Sequence, residues 1–262
     1  MNGHAEEKSG KEAVIEVRGL EMSYGSFVLM RDLTFTIGRG DIFIIMGGSG
    51  CGKSTLLKHL VGLKRPAKGQ IVYDGVSYWD AEPEEQERLK RRFGTLFQSG
   101  ALWSSMTLAE NVAMPLEQYT SLPPGQIREL VSYKLALVGL GGFEEFYPSE
   151  ISGGMKKRAG LARAMALDPD LLFFDEPSAG LDPISARLLD DLIIELSESL
   201  GTTVVVVTHE LASIFAIGTN SVFLDPDVKT MTANGDPKLL LKEAPNPKVV
   251  NFLTRGEGAR QR

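Results

Sequence analysis

A glycine-rich loop between a short apolar run and an amphipathic helical stripe constrains this chain more than any other feature. Its sequence, GGSGCGKS, fits the pattern G-x-x-x-x-G-K-[ST]. Glycines let the backbone wrap around an anion, and the following helix presents the positive end of its dipole to the same point. The loop therefore predicts a phosphate-binding site in an α/β fold. Its residues are Gly47, Gly48, Ser49, Gly50, Cys51, Gly52, Lys53 and Ser54.

Side chains at the end of this loop are predicted to contact a nucleotide and its metal. Lys53 is expected to reach the β- and γ-phosphates, and the Ser54 hydroxyl is expected to ligate Mg²⁺. Thr55 follows directly and is included in the predicted nucleotide site. A thiol at a helix start can have a lowered pKa, so we also expect Cys51 to be reactive and to be protected by bound nucleotide.

A second apolar run, far downstream, ends in two acidic residues, Asp175 and Glu176. A buried strand delivers such carboxylates to its C-terminal edge, where ligands of open α/β sheets bind. Asp175 is predicted to hold the water shell of Mg²⁺, and Glu176 to orient or deprotonate an attacking water. Acids also follow strands as turn or capping residues, and it is the phosphate loop that favours the catalytic interpretation.

Hydrophobic periodicity predicts the organisation of the rest of the chain. Short β-rich runs occupy residues 14–46, helical patterns dominate residues 82–157, and strand patterns return at residues 171–174 and 202–207. This order predicts a parallel α/β sheet with a helical insertion. The polar ending RGEGARQR is expected to be disordered. We expect one domain over residues 13–262, with a catalytic core at 13–97 and 159–235, a helical subdomain at 98–158 and a tail at 236–262.

Composition argues against several classes of protein. The 34 acidic residues outnumber the 28 basic ones, and the net charge of −6 disfavours a nucleic-acid-coating surface or unaided adhesion to anionic lipid. No apolar run reaches the roughly 18 residues that a membrane helix needs, and the first dozen residues lack the apolar segment of a secretory signal. The single cysteine fits a reducing compartment. We expect a cytoplasmic protein, without nucleic-acid partners, that contacts a membrane through another subunit.

Further motifs, in their order along the chain, resemble the ABC ATPase family. Tyr24 lies where the family places an aromatic residue that stacks on adenine, and Gln98 resembles the Q-loop glutamine that senses Mg²⁺ and the γ-phosphate. The stretch SAGLD, which ends at Asp182, is similar to the D-loop, and His209 resembles the switch histidine that steadies the γ-phosphate. Each residue alone has an ordinary structural explanation as a turn, surface or capping residue. Their common order favours the functional roles.

The stretch ISGGM resembles the family signature LSGGQ, with Ile151 in place of Leu and Met155 in place of Gln. The phosphate-facing residues Ser152, Gly153 and Gly154 are intact. A serine followed by two glycines at a helix start offers a hydroxyl, free N–H groups and a positive dipole end, which together make a second anion site. In the family this motif faces the nucleotide bound to the other protomer. The resemblance therefore implies a homodimer that encloses two Mg-ATP molecules.

The resemblance also implies an architecture and an activity. The architecture is a P-loop NTPase (RecA-like) core with an antiparallel β subdomain and an inserted α-helical subdomain. The activity is ATP hydrolysis coupled to transport by transmembrane permease subunits, with the chain peripheral on the cytoplasmic face of the inner membrane. A permease helix would dock after Gln98, although core packing also explains the apolar residues there. These residues are Leu102, Trp103, Met106 and Met114.

Three segments resemble the ATPases of Mla/MCE-type systems, namely residues 98–103, 151–164 and 246–253. Such systems move phospholipids or related hydrophobic molecules between bacterial membranes, which implies an MCE-domain substrate-binding protein as a further partner. Three alternatives stay open. They are the motor of another ABC transporter for amino acids, metals or lipoproteins, a non-transport ABC protein, and a different P-loop class such as a small kinase.

Overall fold

Two β-sheets with helices packed around them form the structure, a computed structural model that describes residues 11–98 and 100–256. Three parts of the motifs and segments discussed above lie outside the described residues: the N-terminal residues 1–10, Ser99 within the segment 98–103, and residues 257–262 of the polar ending. The strands are β1 Ala13–Tyr24, β2 Phe27–Gly38, β3 Ile42–Gly47, β4 Lys68–Tyr73, β5 Val76–Ser77, β6 Phe93–Leu96, β7 Leu171–Asp175, β8 Thr203–Val207, β9 Asn220–Asp225 and β10 Thr230–Asn234.

Helices connect and cover these strands. The α-helices are α1 Lys53–Leu60, α2 Pro83–Lys90, α3 Leu108–Tyr119, α4 Pro124–Leu137, α5 Gly153–Ala164, α6 Pro183–Leu200, α7 Leu211–Ile217, α8 Pro237–Glu243 and α9 Pro247–Leu253, with a 3₁₀ turn at Pro148–Glu150. Among the described residues, none of the helices combines the length and the apolar character needed to cross a membrane.

The larger sheet has the strand order β10-β9-β3-β8-β7-β6, and all its neighbours are parallel except the pair β9 and β10. The smaller sheet, β2-β1-β4-β5, is antiparallel. This arrangement confirms the predicted α/β core with an antiparallel β subdomain. It also brings the C-terminal ends of β3, β7 and β8 to one edge, because Val207 is in register with both Ile45 and Asp175.

The larger sheet separates two hydrophobic cores. Along β3, Ile42, Ile44 and Met46 belong to the core that contains the helices α3 to α7 and α9. Phe43 and Ile45 belong to the core beneath the antiparallel sheet, which also contains α1 and α2. Successive side chains of a strand point to opposite faces, so a strand that is buried on both faces reads as a continuous apolar run. This explains why the central strands have almost no polar positions.

Helices α3, α4 and α5 pack against one another on one side of the larger sheet. Helix α3 begins with a capping box in which Thr107 and Glu110 each accept a hydrogen bond from the other's backbone N–H. The short strand β6 was not predicted as a separate element, because four residues at a sheet edge carry too little periodicity to be recognised, but it ends before residue 98, where the helical subdomain was predicted to begin.

The C-terminal helices pack on the chain's own core. In α9, Val249 and Leu253 are buried, and the Phe252 ring lies 5.4 Å from that of Phe223 on β9. The Lys248 ammonium group donates to Asp225 and Asp227 at distances of 3.0 and 2.6 Å. Helix α9 is therefore held beside the end of the strand that neighbours β3.

Candidate nucleotide-binding site

The phosphate loop connects β3 to α1 with a backbone that only glycine adopts easily. Gly47 has φ of +148°, and a Cβ atom there would stand 2.5 Å from the Leu224 carbonyl oxygen. Gly52, directly before α1, has φ of +96°. Side chains at these positions would be strained or would clash, so the glycines fix the path of the loop. The first turn of α1 then presents its free N–H groups to the space that the loop encloses.

Lys53 lies across this loop. Its ammonium nitrogen donates to the carbonyl oxygens of Gly47 and Gly48, each at 3.0 Å, and the side chain is largely buried. An ammonium group has three donors, so one remains for an anion. The positive charge is therefore placed where the sequence predicted it, at the centre of the candidate phosphate site.

The predicted metal ligands come together between α1 and β7. The Ser54 hydroxyl donates to Asp175 Oδ1 at 2.8 Å, and Gln98 lines the same cavity as Ser54. Hydroxyl, carboxylate and amide oxygens suit Mg²⁺, which proteins commonly bind through one or two carboxylates together with phosphate oxygens. The oxygen donors of Ser54, Asp175 and Gln98 thus fit a Mg²⁺ ion that is bound together with a nucleotide.

Glu176 and His209 form the most informative contact in the site. Glu176 Oε1 accepts a hydrogen bond from His209 Nδ1 at 2.8 Å, while Oε2 is buried and has no hydrogen-bond partner in the described structure. The backbone of Glu176 is in the left-handed region, with φ of +51°. Strained backbone and an unpaired buried carboxylate oxygen both cost free energy, and such features concentrate at active sites.

One cavity of about 510 Å³ is lined by the side chains described above, with the exception of Asp175, which contacts Ser54 from outside it. Two of its residues, Leu29 on β2 and Phe252 on α9, were missed by the sequence prediction, because an apolar residue in a strand or a short helix carries no signal of a ligand site. The predicted residues that line it are Gly47, Gly48, Ser49, Gly50, Gly52, Lys53, Ser54, Thr55, Gln98, Glu176 and His209.

Cys51 does not line the cavity, and the expectation of an activated thiol is wrong. The side chain is fully buried in the core beneath the antiparallel sheet. Burial raises the pKa of the Cys51 thiol, and this outweighs the nearby positive charge of Lys53. The rule for thiols at helix starts assumes a side chain that faces the positive end of the helix, whereas this one points into the protein.

Tyr24 lies beside the site, with 53% of its surface exposed. Its hydroxyl shares a hydrogen bond of 3.2 Å with Thr55, in the first turn of α1, and the Lys64 ammonium nitrogen lies 3.1 Å from its ring centroid. The hydrogen bond to Thr55 lowers the pKa of Tyr24, and the charge of Lys64 acts in the same direction. The ring is thus held by two contacts and keeps a large exposed surface, as a stacking residue requires.

The predicted signature and D-loop residues are placed away from this cavity. Ser152 caps α5 by accepting a hydrogen bond from Met155 N at 3.2 Å, and Gly153 and Gly154 form the first residues of that helix. Asp182 caps α6 by accepting from the backbone N–H groups of Ile184 and Ser185. None of Ser152, Gly153, Gly154 and Asp182 is among the residues that line the cavity of their own chain.

The chain is similar in sequence and in fold to proteins of one known family. The family model described as "ABC transporter" matches residues 30–179. The chain is 47% identical over 197 residues to the "Probable ribonucleotide transport ATP-binding protein mkl" of Mycobacterium tuberculosis strain H37Rv, which is 75% of this chain and 55% of the relative. The chain thus spans about half the length of that mycobacterial relative.

Two other matches cover most of this chain and most of the protein with which it is compared. The "Intermembrane phospholipid transport system ATP-binding protein MlaF" of Haemophilus influenzae is 41% identical over 244 residues, which is 93% of this chain and 91% of the relative. A solved structure described as the dimeric post-hydrolysis state of the ATP-binding cassette MJ0796 bound to ADP and Pi has a TM-score of 0.77 and 27% identity. It covers 85% of this chain and 98% of its own.

Proposed function

Because the chain belongs to the ABC transporter family of ATP-binding proteins, we propose that it hydrolyses Mg-ATP as a homodimer and drives lipid transport through a membrane permease. The observation that carries this proposal is the cavity in which Lys53, Ser54 and the Glu176–His209 pair converge. Binding alone would need the phosphate loop but not a buried, partly unpaired carboxylate held by a histidine.

In the proposed mechanism the loop and Lys53 bind the β- and γ-phosphates. Ser54, Asp175 and Gln98 would hold a Mg²⁺ ion, which neutralises charge on the phosphate oxygens when it is bound. His209 fixes the Glu176 carboxylate through Oε1, so that Oε2 stays free to orient a water molecule and accept its proton. The water oxygen then forms a bond to the γ-phosphorus, the bond to the bridging oxygen breaks, and ADP and phosphate result.

Dimerisation completes each site in this proposal. Ser152, Gly153 and Gly154 lie at the start of α5 and do not line the cavity of their own chain, which is the arrangement expected if they contact a nucleotide bound by a second copy of the chain. The dimeric structure of the related cassette with ADP and Pi supports this arrangement. ATP binding would close the dimer, and hydrolysis would reopen it.

Lipid is the proposed cargo because the phospholipid-transport relative matches over most of both chains. The corresponding system would include a permease and an MCE-domain substrate-binding protein, with this chain on the cytoplasmic face of the inner membrane. The mycobacterial relatives favour ribonucleotides as a second candidate cargo, although they match over about half of their own length.

A segment after Gln98 is the proposed docking site for the permease. Trp103 is 58% exposed, yet its backbone is fixed by Asn111, which accepts from Trp103 N at 2.7 Å and donates to the Trp103 carbonyl at 3.1 Å. An exposed aromatic residue on a rigid loop suits a protein interface. Leu102, Met106 and Met114 are partly buried nearby. A Trp103→Cys variant should crosslink to the permease in membranes. The absence of a crosslink both from position 103 and from cysteines placed at the neighbouring exposed positions would contradict this site.

The proposal is tested by reconstituting the full chain with its permease. The unmutated complex should release phosphate from Mg-ATP, and phospholipid vesicles rather than ribonucleotides should stimulate this release. The Lys53→Ala complex should release none. Stimulation by ribonucleotides alone would select the second cargo. An intact complex that releases no phosphate under either condition would refute the proposed activity.

A further inference from the structure

Helix α5 carries a buried cation whose role the mechanism above does not explain. Lys157 lies one turn after the start of α5 and is only 6% exposed. Lysine is seldom buried this far without a partner, because removing an ammonium group from water is unfavourable unless hydrogen bonds compensate for it. Burial does lower the pKa of Lys157, and the negative charge of Glu176 acts in the opposite direction.

The hydrogen-bond partners of Lys157 are main-chain carbonyls of the catalytic strand end. Its ammonium nitrogen donates to the Ala179 oxygen at 2.5 Å and to the Glu176 oxygen at 3.3 Å. The same Glu176 carbonyl closes the turn by accepting from Ala179 N at 3.2 Å. Lys157 therefore stabilises the turn that keeps Glu176 in its left-handed conformation, which a side-chain-bearing residue otherwise avoids.

A second cation anchors α5 to the segment that follows Gln98. Arg163 donates to the carbonyl oxygens of Ala101 and Gly100 at 2.7 and 3.0 Å. Gly160 approaches the same segment so closely that a Cβ atom there would stand 2.9 Å from the Gly100 oxygen. One helix thus holds the main chain next to both Gln98 and Glu176.

We propose that Lys157 is a positioning residue that links the Ser152–Gly154 anion site at the start of α5 to the catalytic carboxylate of Glu176 in the same chain. The inference rests on the proposed function, because it assumes that this anion site receives the nucleotide of a second copy. A short rigid helix transmits a displacement of its first turn to Lys157, and the two carbonyl hydrogen bonds pass it to Glu176. Lys157 then makes hydrolysis at one site depend on occupancy of the other.

Steady-state hydrolysis by the full chain tests this role. Lys157→Gln removes the cation and should lower kcat by about tenfold or more, since misplacing a catalytic group by a fraction of an ångström is costly. The Kd for ATP should stay within about twofold of the unmutated value, because Lys157 does not line the cavity. Lys157→Arg, which keeps a charged donor, should recover most of the activity.

Lys156→Gln is the matched control, because it removes the same charge from the neighbouring position and should leave kcat unchanged. Thermal unfolding of each variant is recorded, and Lys157→Met, which keeps the apolar stem, replaces Lys157→Gln if the latter does not fold. A kcat within twofold of the unmutated chain, or a loss of kcat that follows a loss of ATP binding, would overturn the proposal. Absence of hydrolysis by the unmutated chain would instead refute the proposed function.

Discussion

At the scale of single residues, the two oxygens of the Glu176 carboxylate have different environments. Oε1 is held by His209, whereas Oε2 is buried and unpaired in the described structure. Replacement by glutamine keeps the shape but removes the proton acceptor. Glu176→Gln should therefore bind ATP with little change while kcat falls by about 10²- to 10⁴-fold.

Phosphate release and binding of a fluorescent ATP analogue measure these two quantities separately. Glu198→Gln, an exposed position on α6, is the matched control and should behave like the unmutated chain. If Glu176→Gln hydrolysed ATP in the intact complex at the unmutated rate, Glu176 would not be the base.

The Cys51 thiol should react slowly with alkylating reagents. Only the thiolate is nucleophilic, and burial raises the pKa of this thiol, so the thiolate fraction at neutral pH is below that of a free cysteine. The rate in the folded chain should keep rising at pH values where a free thiol has already reached its plateau. Labelling with iodoacetamide in native buffer and in urea checks this, and equal rates in both would contradict the buried position.

Residue identities were predictable where a motif requires a particular chemistry, and unpredictable where packing decides. Lys53, Ser54 and Glu176 follow from the loop pattern and the acidic strand end, and the structure brings them to one edge of the sheet. The direction of the Cys51 side chain depends on the path of the loop over the core, which no local pattern encodes. The Lys157 contacts were likewise invisible, because they join segments about twenty residues apart.

At the scale of elements, Asn111 on α3 organises the loop that displays Trp103. The side chain is fully buried, and its amide nitrogen shares two N–H donors among three carbonyl oxygens within 3.2 Å, those of Trp103, Met106 and Thr107. Asn111→Ala should lower the free energy of unfolding by about 2–3 kcal/mol, because it removes a buried side chain that holds three main-chain segments and leaves the Trp103 N–H group without its acceptor.

Urea unfolding of the full chain gives this difference. Glu117→Ala, an exposed position on the same helix, should cost much less. A loss below 0.5 kcal/mol for Asn111→Ala, on the order of an ordinary surface change, would show that the loop does not depend on this side chain.

Elements were predictable in proportion to the strength of their periodicity. Strands β3, β7 and β8 read as continuous apolar runs because both faces of the larger sheet are covered, and they occur where predicted. Strand β6 was missed, since an edge strand of four residues alternates too briefly to be distinguished from its helical surroundings. The packing of α9 beside β9 depends on long-range ion pairs and aromatic contacts that sequence patterns do not show.

At the scale of the whole molecule, the proposed dimer follows from two groups of residues that do not meet within one chain. The cavity is lined by the phosphate loop, Gln98, Glu176 and His209, whereas Ser152, Gly153 and Gly154 start helix α5 and do not line it. The fold class followed from the order of strands and helices together with the family resemblance, and the structure confirms it. The central claim is that two copies of the chain enclose each nucleotide between these half-sites.

Sedimentation of Glu176→Gln at micromolar concentration tests that claim most directly. The chain should be monomeric without nucleotide and dimeric with Mg-ATP, with two ATP molecules per dimer. Adding Gly153→Asp should abolish dimerisation but not ATP binding, because a side chain at Gly153 meets no atom of its own chain and would place a carboxylate against the partner's phosphates. A Glu176→Gln chain that binds ATP and remains monomeric at every concentration would contradict the account.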